Sequence, residues 1–338
     1  KKKKGGGMTH SSNVRSMFTI TIQRRPFVLR TISNRLGLGS QKKNISSLAH
    51  EWICNEEESG KHAPPDKTAI FLHGLLGNRK NWRSLAQKFI RQRPGWQAMV
   101  VDLRGHGEST TGTPPHGLPK VALDLQTLVA EQLGGSEGGA PERAPPRLGA
   151  LCGHSFGGKA VLEYLQQAIQ KGHPLPSEAW IFDTIPGEIT TEMANVTDVL
   201  DAIQANPPPF PDKDTMVQRF TSQGIPKVVA LWLTTNLRPG PPGGSPGGGG
   251  LEWVFDVQVA RSLFASYTAT GYLPLLRAYP RPGLHLVRAT KNAGWTPAVL
   301  AELEGAAAAN PNNLRLHALD AGHWLHVEDP QGLLALMA

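Results

Sequence analysis

The chain has 338 residues and a formal net charge of +8, from 35 Lys and Arg against 27 Asp and Glu. Its two cysteines exclude a disulfide framework, and no apolar run is long enough for a membrane-spanning helix. The 37 Gly and 28 Pro predict a folded core with low-complexity insertions.

The positive charge is concentrated at the start of the chain. Residues 1–50 hold eleven Lys and Arg and no acid, which leaves 24 basic against 27 acidic residues, a net −3, in residues 51–338. Spaced arginines among serines and apolar side chains are typical of an organellar transit peptide. We interpret residues 1–50 as a leader that directs the chain to a mitochondrion in preference to a chloroplast; without such a signal the location is cytoplasmic. Since the excess charge belongs to this leader, no nucleic-acid partner is expected.

Short apolar runs alternate with amphipathic segments along much of the chain. Strands are predicted at residues 68–72, 97–101, 148–152, 179–182, 284–287 and 314–319. Helices are predicted between them at residues 81–91, 121–133 and 156–170. This alternation indicates an α/β fold, with a mostly parallel sheet covered by helices on both faces.

The alternation stops in one long segment. Between two of the predicted sheet strands, residues 187–281 contain mainly helical patterns, at 189–203, 228–237 and 254–264. We predict a helical cap over residues 187–281, inserted into an α/β core formed by residues 51–186 and 282–338.

Two Gly/Pro-rich stretches interrupt the folded part, at residues 134–146 and 239–250. Neither can bury apolar surface, so both are predicted to be loops.

One motif points to nucleophilic chemistry. Gly153-His154-Ser155-Phe156-Gly157 stands between a predicted strand and a predicted helix. In this context a Gly-x-Ser-x-Gly sequence forms a sharp turn, in which Gly153 and Gly157 allow close backbone approach. The turn predicts that Ser155 Oγ is exposed at the carboxyl edge of the sheet, as a nucleophile would be.

A serine nucleophile needs a base, and the best placed of twelve histidines is His323. It follows the last predicted strand in Ala321-Gly322-His323-Trp324, so it can reach the same sheet edge. His154 belongs to the turn, and its side chain is expected to point away from the nucleophile. His326 is expected to support packing.

The orienting carboxylate is expected at Asp183. This residue directly follows the strand at 179–182, whereas residues 287–295, after the next sheet strand, contain no acid. Asp256 and Asp320 are the remaining alternatives.

An oxyanion hole is expected from Leu72-His73-Gly74-Leu75, directly after the first predicted sheet strand. His73 and Gly74 shape the turn, and the backbone N–H groups of Leu75 and Phe156 are the expected donors. The polar turn that begins Asp102-Leu103-Arg104 is expected to brace loops without touching substrate.

Together these motifs resemble the α/β-hydrolase superfamily over residues 65–338, including its chain order Ser…Asp…His. The resemblance is greatest to the group of bacterial YbfF-type esterases and the mitochondrial α/β-hydrolase-domain protein eleven. Three features support this resemblance: Lys159 follows the glycines of the serine turn, Asp183 stands in an Asp-x-x-Pro context, and the motif Ala321–Pro330 begins Ala-Gly-His-Trp. The resemblance implies a serine esterase of broad acyl range without metal or organic cofactor.

The sequence therefore predicts a serine hydrolase that cleaves carboxylic esters, including lipid esters or thioesters, through an acyl-enzyme on Ser155. Two alternatives stay open: a non-catalytic module that binds a ligand or partner on the same fold, and a C–C hydrolase, lyase or haloperoxidase with the same triad. The expected partner is a small-molecule ester.

Overall fold

A computed structural model describes residues 48–54, 65–134, 146–189, 194–240 and 250–338, without the side chains of residues 194 and 195. The predicted leader up to residue 47, and residues 135–145 and 241–249 of the two predicted loops, lie outside these ranges. In chain order the elements are β1 (His50–Ile53), β2 (Lys67–Leu72), α1 (Arg83–Arg91), β3 (Trp96–Val101), α2 (Leu118–Leu133), β4 (Arg147–His154), α3 (Phe156–Lys171), β5 (Glu178–Phe182), α4 (Ala194–Ala205), α5 (Lys213–Ser222), α6 (Lys227–Leu233), β6 (Leu237–Pro239), β7 (Leu251–Trp253), α7 (Val257–Ala269), α8 (Leu273–Ala278), β8 (Leu284–Ala289), α9 (Pro297–Ala309), β9 (Leu314–Leu319), α10 (Leu325–Glu328) and α11 (Pro330–Leu336).

Seven of the strands form one sheet, in the order β1-β3-β2-β4-β5-β8-β9. Every neighbouring pair is parallel except β1 with β3, which is antiparallel. The prediction of a mostly parallel α/β sheet is confirmed. β1 was not predicted, and its first residue, His50, is the last residue of the predicted leader.

The sheet is buried on both faces because its strands are apolar on both. In β2, Ile70 and Leu72 belong to the buried cluster that includes residues of α2 and α3, while Ala69 and Phe71 belong to the cluster on the opposite side, which includes residues of α1 and α11. Alternate residues of a strand point to opposite faces, so a continuous apolar run is the pattern that a sheet covered twice requires.

A third apolar cluster lies in the segment predicted as a cap. It is formed by α4, α5, α6, β7 and α7, with Phe210, Phe220, Leu233 and Trp253 among its most buried residues. The short helices α5 and α8 and the β6–β7 hairpin were not predicted there. Leu200, Leu233 and Phe255 belong to this cluster, so they contribute to the packing of the cap itself.

Among the described residues, no helix is long and apolar enough to cross a membrane.

Candidate active site

Ser155 is the single residue between β4, which ends at His154, and α3, which begins at Phe156. Its backbone has φ 53° and ψ −116°, a strained conformation for a residue with a side chain. The turn closes tightly: a Cβ on Gly153 would lie 2.1 Å from the Gly157 carbonyl oxygen, and one on Gly157 would lie 2.6 Å from that of His73. Only glycine fits at either position, as the spacing of the motif predicts.

Asp183 directly follows β5 and is 3% exposed. Its Oδ1 accepts hydrogen bonds from the Ala289 backbone N–H at 2.8 Å and from Trp295 Nε1 at 2.6 Å. Its Oδ2 accepts from Asn292 Nδ2 at 2.6 Å and from His323 Nδ1 at 2.7 Å. Four donors on two oxygens fix the plane of this carboxylate.

His323 follows β9 and meets Asp183 at the sheet edge where β4, β5 and β9 all end. Because Nδ1 donates to the carboxylate, Nε2 is the nitrogen left to exchange a proton. The side chain is 40% exposed, so the ring can be reached from outside. The structure thus brings Asp183 and His323 into contact, on the edge where Ser155 stands.

The His154 side chain lies against His323. Its Nε2 donates to the His323 backbone carbonyl at 2.7 Å, and its ring centroid lies 4.6 Å from that of His323. Burial, reinforced by the neighbouring His323 and His326, lowers the pKa of His154 well below its usual value. A neutral His154 therefore holds the backbone of the residue whose side chain faces Asp183.

His326 is buried, as a packing role requires. Its ring stacks on Trp82 with centroids 4.5 Å apart, and burial lowers its pKa to about 3.

The loop after β2 lies against the serine turn. A Cβ on Gly74 would lie 3.1 Å from His154 Nδ1 and 3.4 Å from Ser155 Cβ, so the Gly74 backbone touches the turn directly. Within the described part of the chain, the backbone N–H groups of Leu75 and Phe156 donate to no protein acceptor. Both N–H groups are therefore available to an acceptor from outside the chain.

Two buried histidines hold this loop to the one after β3. His73 Nε2 accepts from the Leu103 backbone N–H at 2.9 Å, and His106 Nε2 accepts from the Leu76 N–H at 3.1 Å. Each ring must then carry its proton on Nδ1, which donates to a backbone carbonyl, of Gly74 and of Arg104 respectively. Burial lowers the pKa of His73 to about 4 and, with His73 nearby, that of His106 to about 3, so both stay neutral.

Asp102 and Arg104 brace loops, in agreement with the sequence interpretation. Asp102 is fully buried; it forms an ion pair with Arg79 and accepts from the Glu108 backbone N–H at 3.0 Å. Arg104 forms a two-pronged ion pair with Asp124, at 2.7 and 3.0 Å.

Sequence reasoning missed two side chains that bind Asp183. Asn292 and Trp295 lie in the acid-free turn after β8, and their role becomes visible only when that turn folds over Asp183. No group of three His, Cys, Asp or Glu side chains that could hold a metal ion occurs in the described ranges.

Comparison with solved structures agrees with this architecture. A marine microorganism esterase superimposes with a TM-score of 0.64 at 18% identity, covering 86% of this chain and 97% of that one. A thioesterase domain from the curacin biosynthetic pathway has a TM-score of 0.54 at 19% identity and covers 86% of this chain and 99% of that one. At such identities the likeness shows the fold alone.

Sequence relatives give the family. The sn-1-specific diacylglycerol lipase ABHD11 of Mus musculus is 35% identical over 97 residues, 28% of this chain and 26% of that protein, so the match spans about a quarter of the relative. The abhydrolase domain-containing protein C22H12.03 of Schizosaccharomyces pombe is 24% identical over 277 residues, 80% of this chain and 89% of that protein. Residues 69–336 match the profile of the alpha/beta hydrolase family. The chain belongs to the alpha/beta hydrolase family and is related to ABHD11.

Proposed function

We propose that this chain is a serine hydrolase that cleaves carboxylic esters, lipid esters and thioesters included, through an acyl-enzyme on Ser155. One observation carries the proposal: Asp183 and His323 form a 2.7 Å hydrogen bond at the sheet edge where the strained turn exposes Ser155. A serine, a histidine and an orienting carboxylate in this arrangement are the components of acyl transfer.

The proposed mechanism uses these residues in the following roles. His323 Nε2 takes the proton of Ser155 Oγ as the oxygen attacks the ester carbonyl carbon, and Asp183 stabilises the imidazolium that forms. The N–H groups of Leu75 and Phe156 bind the oxyanion of the tetrahedral intermediate; in other enzymes the loss of one such donor costs about 3–4 kcal/mol. The imidazolium then protonates the departing alcohol or thiol. Water, activated by His323, releases the acid from the acyl-enzyme.

The names of similar proteins support an acyl substrate. The mouse relative is a diacylglycerol lipase, and the solved structures with this fold include an esterase and a thioesterase domain. These names do not fix the acyl chain or the leaving group, and the cap is where this chain would set that preference.

Labelling with a fluorophosphonate probe tests the nucleophile, since such probes react with activated serines. We expect the wild-type protein to be labelled and Ser155→Ala not to be. Labelling that persists in Ser155→Ala would assign the nucleophile elsewhere.

The carboxylate is tested by comparing two isosteric changes. Asp183→Asn removes the charge beside His323 and is expected to lower kcat about 10⁴-fold, as for other triads. Asp256→Asn is the matched control, because Asp256 caps α7 by accepting from the Gln258 and Val259 N–H groups and an amide oxygen can do the same. Equal losses in the two variants would contradict the assignment of Asp183.

One relative favours a second candidate. The 2-succinyl-6-hydroxy-2,4-cyclohexadiene-1-carboxylate synthase of Yersinia pseudotuberculosis is 28% identical over 119 residues, 35% of this chain and 37% of that protein. A lyase or C–C hydrolase using the same triad would turn over without acylating Ser155, or would release a product that comes from cleavage of a C–C bond. Product analysis with graded esters and thioesters separates these reactions.

The organellar location is also a proposal, which rests on the acid-free composition of residues 1–50. Fusion of residues 1–50 to a fluorescent protein tests it: import into mitochondria is expected, and a diffuse cytoplasmic signal would contradict it.

A further inference from the structure

The backbone that carries Ser155 is held by the centre of the sheet. β4 lies between β2 and β5, and its last residue, His154, pairs with Phe182 of β5. The Ser155 backbone N–H donates to the Phe182 carbonyl at 2.9 Å. The His154 side chain therefore projects from a fixed point, one residue before the candidate nucleophile.

His323, the candidate base, has less support from regular structure. It lies in the turn between β9 and α10, and its ring is bound at Nδ1 by Asp183. Its backbone carbonyl accepts a hydrogen bond from His154 Nε2 at 2.7 Å, between residues 169 positions apart in the chain. A ring that is bound at one nitrogen alone can still pivot about that hydrogen bond. The tie on the His323 backbone is therefore a second point of attachment for the base.

The His154 ring also lies against the loop after β2. A Cβ on Gly74 would be 3.1 Å from His154 Nδ1. The ring is 4% exposed, and burial, reinforced by the neighbouring histidines, lowers its pKa well below the usual value. Because the neutral ring carries its proton on Nε2, Nδ1 is unprotonated. One neutral ring thus lies between the turn that holds His323 and the loop that contains Leu75.

We propose that His154 is a positioning residue, which sets the place of His323 relative to Ser155 through the hydrogen bond from its Nε2 to the His323 carbonyl. The inference rests on the proposed function and adds to it a second histidine, which touches neither the substrate nor the reacting atoms. Since His154 and Ser155 are consecutive, one short stretch of backbone holds the nucleophile directly and the base through the His154 ring.

The position of His323 matters in both halves of the proposed reaction. In acylation its Nε2 takes the proton of Ser155 Oγ and gives it to the leaving group. In deacylation it takes a proton from water and returns it to Oγ as the C–Oγ bond breaks. A misplacement of about 1 Å can slow such steps about a hundredfold. Loss of the tie should therefore slow acylation and deacylation together.

Substitutions of His154 that differ in their donor test the hydrogen bond separately from packing. His154→Gln places an amide donor near the position of Nε2, whereas His154→Met has the same length and no donor. We expect kcat for p-nitrophenyl butyrate to fall about tenfold to a hundredfold in His154→Met and to stay within about threefold of the wild type in His154→Gln. If His154→Met does not fold, His154→Asn replaces it, because its amide is one carbon shorter and does not reach the His323 carbonyl.

Pre-steady-state kinetics give a readout that a merely structural role would not change. The burst of nitrophenolate reports acylation, and the steady rate reports deacylation. In His154→Met both rate constants should fall by similar factors, so that KM changes little. A loss of folded protein would instead lower the burst amplitude and leave both rate constants unchanged, which would overturn the positioning role.

His326→Met is the matched control. His326 is a buried histidine whose ring centroid lies 4.8 Å from that of His154, and its Nδ1 has no hydrogen-bonding partner in the described part of the chain. Its substitution should lower thermal stability and leave both rate constants within about threefold of the wild type. Rate constants that fall as far in His326→Met as in His154→Met would show that packing of the cluster, and not the hydrogen bond, is what matters.

The outcomes separate this inference from the proposed function. A wild-type protein that forms no acyl-enzyme overturns both. A wild-type protein that turns over through Ser155, with His154→Gln and His154→Met equally active or equally impaired, overturns the role of His154 alone.

Discussion

At the scale of single residues, the candidate site is defined by what surrounds Asp183. The carboxylate meets His323, but three of its four hydrogen bonds come from residues 289–295, a turn without any acid. Residue type and spacing predict Ser155, Asp183 and His323 as triad candidates, because each follows a recognisable strand, and the structure brings Asp183 and His323 into contact. The donors around Asp183 could not be predicted, since amides and indoles occur throughout the chain and only the folded turn selects these two.

We expect Asn292→Ala to lower kcat roughly tenfold with little change in KM, because Asp183 Oδ2 then keeps only His323 and the carboxylate loses part of its fixed orientation. Asn310→Ala is the matched control, since Asn310 is a buried asparagine whose Nδ2 binds the carbonyls of Leu276 and Tyr279, away from the triad. It should lower thermal stability and leave kcat per folded enzyme unchanged. A loss of kcat in Asn310→Ala as large as in Asn292→Ala would show that the effect is not specific to the carboxylate.

At the scale of elements, the turn between β4 and α3 and the loop after β2 form one unit. Gly157 packs closely against the carbonyl oxygen of His73, and the Gly74 backbone contacts His154 and Ser155. Six strands and the helices α1, α2 and α3 of the α/β core were predicted within a few residues because their apolar patterns are long, whereas β1 was not predicted. In the cap, α5, α8 and the β6–β7 hairpin were not predicted, because the formation of such short elements depends on the packing of the cap more than on their own sequence.

Alanine substitutions in two glycines should have opposite effects. Gly153→Ala is expected to destabilise the fold by about 3 kcal/mol or more, because its Cβ would lie 2.1 Å from the Gly157 carbonyl oxygen. Gly305→Ala, in the middle of α9 with nothing within 4 Å of its Cβ position, should stabilise it by about 0.5–1 kcal/mol. Urea unfolding measures both. A Gly153→Ala protein as stable as the wild type would contradict the close packing described for the turn.

At the scale of the whole molecule, charge is divided unevenly. The basic excess lies in residues 1–50, whereas residues 51–338 have a small negative net charge and hold several buried neutral histidines. His73, His106, His154 and His326 all have lowered pKa values because burial disfavours the imidazolium. These histidines therefore bind protons in the unfolded chain at pH values at which they are unprotonated in the folded protein.

Acid should consequently destabilise the fold. Between the usual histidine pKa of 6.5 and about 4, His73, His106 and His326 are protonated only after unfolding, so the free energy of unfolding falls as pH falls, by about 1.4 kcal/mol per pH unit per histidine. The lowered pKa of His154 acts in the same direction. Urea midpoints from pH 7.5 to pH 5 measure the slope. His326→Phe keeps a ring against Trp82 and should reduce the slope by about one proton. An unfolding free energy that stays constant over this range would contradict neutral, buried imidazoles.

The central claim is that turnover passes through an acyl-enzyme on Ser155, and mass spectrometry of the quenched reaction tests it most directly. Wild-type protein mixed with p-nitrophenyl butyrate and quenched in acid should gain the mass of one butyryl group, on the peptide that contains Ser155. Ser155→Ala should form none of this species. Turnover without an acylated protein, or with the acyl group on another residue, would contradict the account.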